Sequence, residues 1–124
     1  MQIERMNHVQ VSVPVNSEDE VRRFYCGVLG LREVAKPESL RGRGGLWVEV
    51  GDQLLHFGTE EATARAASKR HVAFEVSDLN AARQELKAAG VAIVESIPIP
   101  EYDRFEFRDP FGNRIELMQC RRED

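Results

Sequence analysis

What most limits the fold of this chain is that its pattern occurs twice. Asn7-His-Val-Gln-Val-Ser-Val13 alternates with period two, predicting a strand with Val9, Val11 and Val13 on one face and His8, Gln10 and Ser12 on the other. Ser17, with Glu20 three residues on, reads as a capping box that starts a helix. Val21, Phe24, Tyr25, Val28 and Leu29 form its buried stripe, and Gly30 suits its end. Strands are expected over about 31–36, 45–50 and 53–58, the last two joined at Gly51-Asp52. Then Arg70-His-Val-Ala-Phe-Glu-Val76 reads as a strand, and Asp78 caps a helix with the stripe Leu79, Ala82 and Leu86, ended by Gly90. Strands near 91–95, 102–108 and 113–119 follow, with the turn Asp109-Pro-Phe-Gly-Asn113 between the last two.

The spacings support a duplication. His8 and His71 are 71 − 8 = 63 residues apart, while Gly30 and Gly90, and His56 and Glu116, are each 60 apart. The economical architecture is α+β: two β-α-β-β-β modules, about 4–58 and 70–119, in a single domain spanning 1–124. Residues 59–69, rich in Ala and Glu, form the linker and suit a short helix.

The chain's 124 residues suffice for one core without disulfides, and 42% hydrophobic with 31% charged residues argues against disorder. A net charge of −4 counts against nucleic acid as a partner. No apolar run approaches the ~18 residues of a membrane span, and no signal-peptide core opens the chain, so a cytoplasmic protein is expected. Cys26 and Cys120 are too far apart for a metal knuckle or redox motif.

In each strand the more apolar face suits packing on a helix. The opposite face collects His8, His56, His71 and Glu116, together with Trp47, Glu49, Arg104 and Glu106. Curled toward that face, the strands would make an open, cup-shaped mixed sheet lined with polar groups, which suits a site better than a core. All three histidines of the chain lie there. Three imidazoles and one carboxylate suit a divalent transition metal (Zn, Ni, Co, Mn or Fe(II)) better than Ca or Mg.

With these residues in view, the chain resembles the vicinal oxygen chelate superfamily. That group includes glyoxalase I, extradiol dioxygenases, fosfomycin-resistance enzymes, methylmalonyl-CoA epimerase and bleomycin-binding proteins. The resemblance runs from Met6 to Gln119. It is carried by Asn7-His8-Val9, Phe24-Tyr-Cys-Gly-Val-Leu-Gly-Leu31, His71-Val-Ala-Phe-Glu-Val76 and Asp109-Pro-Phe-Gly-Asn-Arg-Ile-Glu-Leu117. It implies paired modules that form an open barrel, with His8 and His71 as first-strand metal ligands and His56 and Glu116 as last-strand ligands. It also implies a homodimer, in which His8 and His56 face His71 and Glu116 across the interface. Where glyoxalase I enzymes present Glu or Gln, and the epimerases Gln, this chain has His56. A bound Glu can double as a base; an imidazole is a poor substitute. The set His8, His71 and Glu116 also reproduces the dioxygenase ligands, with His56 as a fourth ligand or behind them. Bleomycin-binding proteins lack the ligands altogether.

The function expected is that of a metalloenzyme of isomerase or lyase type acting on a small oxygen-chelating substrate. The metal would act as a Lewis acid on negative charge developing at oxygen. Glu49 or Glu106 would be the base, Arg43 and Arg104 would bind a substrate carboxylate or phosphate, and Trp47 would wall the pocket. One alternative is an Fe(II) extradiol-type dioxygenase. The other is a non-catalytic protein that sequesters a drug or metabolite, whose acidic character would suit a cationic ligand.

Overall fold

The computed structural model describes residues 1–61 and 64–121. It divides into two compact units, Met1–Thr63 and Ala64–Asp124, each a β-α-β-β-β module with its own open, four-stranded mixed sheet.

In the first module, β1 (His8–Val13) leads into α1 (Glu18–Val21), and β2 (Arg32–Val34), β3 (Leu46–Val50) and β4 (Gln53–Thr59) follow. The sheet order is β1-β4-β3-β2, with β1 parallel to β4 and the remaining pairs antiparallel. A parallel first-to-last pair needs a long crossover, and the helix provides it while covering one sheet face. Val13, Val21, Phe24, Tyr25, Leu46, Val48, Leu55 and Phe57 are buried on that side. Tyr25 lies 4.4 Å from Phe57 between ring centroids.

Helix α1 departs from the capping-box expectation. Ser17 Oγ donates to Pro14 O at 2.6 Å and caps nothing. Past Val21 the helix widens into a π-helical stretch, Arg22–Val28, and Leu29 N–H reaches back to Phe24 O. The wider turn sets both Phe24 and Tyr25 into the core. Leu31 N–H is still held by Tyr25 O and Pro37 follows shortly, so β2 is shorter than the stretch predicted from sequence.

The second module repeats the plan: β5 (His71–Glu75), α2 (Leu79–Ala88), β6 (Val94–Glu95), β7 (Tyr102–Arg108) and β8 (Arg114–Cys120), in the order β5-β8-β7-β6. Here the predicted cap is made, with Asp78 Oδ1 accepting from Ala81 N at 3.0 Å. Leu79, Leu86, Phe105, Phe107, Ile115 and Leu117 form the core. Strand β6 is only two residues long because Val91 N–H is retained by Leu86 O at the helix end, and Pro98 and Pro100 cannot extend a ladder. The turn at 109–113 is tied by Asp109, whose Oδ1 accepts from Phe111 N and Asn113 N. In the linker, Thr59 belongs to β4 and the short helix is a single 3₁₀ turn, Arg65–Ala67; Ala62 and Thr63 lie outside the described residues. Both cysteines are free. Among the described residues no helix is long and apolar enough to cross a membrane.

Candidate metal and substrate site

Residues at matched register share a face and a row across the strands. In the first module Gln10, His56 and Trp47 stand opposite one another, with Val34 next in line. His8 pairs with Leu54, two residues before His56, and leans diagonally onto the His56 ring. The result is a stack of three rings. Trp47 and His56 are 3.7 Å apart and 4° from parallel; His8 and His56 are 4.0 Å apart and 15° from parallel. His56 is buried, and its Nε2 has no hydrogen-bond partner among the described residues. Burial holds its pKa below the ordinary 6.5, and the charges of His8 and Lys36 push the same way, so the ring is neutral near pH 7.

Above the rings lies a cavity of about 490 Å³, roofed by Lys36, Leu40, Arg43 and Gly44. The roof is anchored twice. Lys36 Nζ donates to Gly44 O at 2.6 Å, and Gly45 N–H donates to Glu18 Oε2 at 2.7 Å. That backbone donor is the main reason the Glu18 carboxyl titrates below its usual range.

The second module uses the same register offset. His71 is opposite Arg114, and Glu116 follows two residues later, as His56 follows Leu54. Glu116 is buried; its Oε1 accepts from Arg104 Nη1 at 3.0 Å, and its Oε2 lies 3.4 Å from His71 Nε2. His71 Nδ1 lies 3.1 Å from Lys69 O, and His8 Nδ1 lies 2.9 Å from Asn7 Oδ1. Carbonyl oxygens only accept, so Nδ1 donates in both rings, and in a neutral ring this leaves the lone pair on Nε2. In that form His71 turns one acceptor toward another, an arrangement that a cation or a proton between them relieves.

The other residues singled out in the sequence are placed as follows. Trp47 and Arg43 line the cavity of the first module. Glu49 lies outside that lining, in a two-point ion pair with Arg32 (2.7 and 3.1 Å) whose hydrogen bonds hold its carboxyl below the usual range. Glu106 stands opposite Glu116 and is held by Arg114 Nε at 2.6 Å. Arg104 is engaged by Glu116 Oε1 and by Ile97 O, which take three of its five N–H groups. Lys36 and Gln10 line the cavity but were not singled out in the sequence. Strand parity offered a signal for both: Gln10 shares the His8 face, and Lys36 lies two residues beyond Val34, the partner of Trp47.

The donors come as two pairs, one per module. Among the described residues no group of three or more His, Cys, Asp or Glu stands together as a metal site. The pairs nevertheless fit a divalent transition ion in kind: two lone pairs fixed by Nδ1 hydrogen bonds, a buried unpartnered Nε2 and a buried carboxylate. An imidazole binds metal in its ring plane, so the near-parallel His8 and His56 cannot both address one ion until one of them turns.

Comparison with known proteins agrees with the fold. A glyoxalase family protein of Bacillus anthracis has the same fold at a TM-score of 0.91 and 40% identity, with 98% of each chain covered. Glyoxylase I 4 of Arabidopsis thaliana is 32% identical over 93% of this chain and 70% of its own length. The mitochondrial methylmalonyl-CoA epimerase of Bos taurus is 34% identical over 73% of this chain, which spans only 57% of that protein. Residues 5–117 match the family model itself, and the chain belongs to the glyoxalase/bleomycin resistance protein/dioxygenase superfamily.

Proposed function

We propose that this protein is a metal-dependent enzyme of isomerase or lyase type, acting on a small substrate that presents adjacent oxygens. His8 and His56 from one module, with His71 and Glu116 from the other, are its ligands for one divalent ion, in a homodimer. The observation that carries this reading is the pair of facing acceptors, His71 Nε2 and Glu116 Oε2, repeated in register by His8 and the unpartnered His56. When bound, the ion supplies Lewis acidity toward substrate oxygen. Arg104 is a positioning residue: by holding Glu116 Oε1 it leaves Oε2 aimed at His71. Glu106 is the better placed base, because it stands across from Glu116 on the neighbouring strand. Glu49 is a charge partner of Arg32.

One observation favours a second reading. If His56 stays sandwiched between Trp47 and His8, the ligands reduce to His8, His71 and Glu116, the two-histidine, one-carboxylate set of Fe(II) oxygenases.

Metal content of the purified protein, wild type and Glu116→Ala, measured by mass spectrometry with sedimentation on the same samples, tests the proposal. The expected result is about one ion per chain in a dimeric wild type, lost in a folded Glu116→Ala. Zn or Ni would fit the isomerase or lyase reading; Fe, with oxygen consumed on catechols, would transfer the case to the second. No uptake of Zn, Ni, Co, Mn or Fe(II) on reconstitution would refute both.

A further inference from the structure

Continuing the register of the first module by one step sets Gly45 opposite Gly58, since Leu46 faces Phe57. The matching positions of the second module are Arg104 and Met118. The second module carries a guanidinium and a thioether at these positions; in the first the Gln10 side chain lies against Gly58, and both residues line the cavity. Its charge is also distinctive. The chain carries a net −4, yet Lys36 and Arg43 line the cavity and no carboxylate does. Glu18, the acid that reaches the roof, is turned onto Gly45 N–H. Lys36 uses one of its three N–H groups on Gly44 O, and Arg43 makes no side-chain hydrogen bond or ion pair among the described residues.

We infer that the first-module cavity holds the oxyanion of a small organic substrate, a carboxylate or a phosphate, between Lys36 and Arg43. The inference deepens the proposed function by naming the substrate class, and it rests on that reading for what happens to the substrate afterwards. It keeps the carboxylate or phosphate expected for Arg43, adds Lys36 as its partner, and opposes the cationic ligand of the sequestering alternative, because a ligand responds to the local field of its pocket before the net charge of the molecule. Gln10 and the ring edges of His56 and Trp47 form the floor against which the rest of such a molecule would lie.

Trp47 is the only tryptophan of the chain, so its fluorescence reports on this cavity alone. The test uses metal-stripped protein at low ionic strength, titrated with malonate, with inorganic phosphate and with neutral malonamide. A saturable change with either anion and none with malonamide is expected; which anion saturates distinguishes carboxylate from phosphate. Arg43→Gln should weaken binding about tenfold or more, and Lys36→Gln similarly, while Lys36→Arg retains most of it. The exposed Arg43 tolerates change, so the Arg43→Gln result stands even if a Lys36 variant disturbs the roof. Equal affinity in Arg43→Gln, equal affinity for malonamide, or no saturable change with either anion would overturn the proposal. Zn(II) uptake by Arg43→Gln should match wild type. Anion binding without metal uptake sinks the metal reading alone; metal uptake without anion binding sinks the oxyanion pocket alone.

Discussion

His56 is the residue on which burial, stacking and lost hydrogen bonding converge. Its pKa is depressed chiefly by desolvation, so the unfolded chain takes up a proton that the folded one resists. A depressed imidazole favours the native state above 6.5, and that contribution declines as pH falls below 6.5. In metal-free protein, denaturant melts between about pH 7.5 and about pH 5.5 should therefore show wild type losing more stability on acidification than His56→Gln does. Parallel slopes for the two proteins would show that His56 is not the group responsible. The sequence made His56 a candidate through strand parity and its 60-residue relation to Glu116, and parity does place it on the His8 face. Nothing in the sequence could show that the ring is clamped between Trp47 and His8, because side-chain lean along a row depends on the register of three strands at once. The same limit hid the pairings of Glu49 with Arg32, Glu106 with Arg114 and Arg104 with Glu116.

At the scale of elements, the roof over the cavity depends on a glycine with no substitute. Gly45 has a φ of 77°, and a Cβ added there would stand 1.9 Å from Phe57 O. Gly30 has nearly the same backbone angle, φ 75°, with nothing within 4 Å of an added Cβ. Both substitutions by Ala incur the left-handed penalty of about 1–2 kcal/mol; only the one at Gly45 must also displace a strand backbone. Gly45→Ala should thus cost about 3 kcal/mol or more in chemical denaturation, and Gly30→Ala about 1 kcal/mol. Comparable losses would mean that the roof yields easily. Strand periodicity located every strand of both sheets, and it marked 102–108 to the residue. It overran β2 and β6, because helix-end hydrogen bonds to Leu31 and Val91 are invisible to an alternation pattern. The capping box failed for a related reason: Pro14 O, close in the chain, captured the Ser17 hydroxyl first.

For the molecule as a whole, the repeat was legible because duplication preserves spacing, and the two sheets with identical strand orders are its direct expression. The divergence between modules was not legible. It consists of a few exchanges, Arg104 and Met118 against Gly45 and Gly58, whose meaning depends on which residues face each other across a ladder. The parallel pairing of first and last strands carries a kinetic consequence. His8 meets Leu54 across 54 − 8 = 46 residues, and His71 meets Arg114 across 114 − 71 = 43. During synthesis β1 and β5 must wait with unpaired edges until the ends of their modules emerge, whereas the β3–β4 hairpin, turning at Gly51-Asp52, closes at once. Chain-closure entropy then places the hairpin early and β1 late on the folding route. Stopped-flow mixing should find Val48→Ala slowing refolding and Val11→Ala mainly hastening unfolding; the opposite partition would reverse that order. A candidate ligand, His8 or His71, lies on each of these late strands, so each proposed donor pair is assembled only when its sheet is complete.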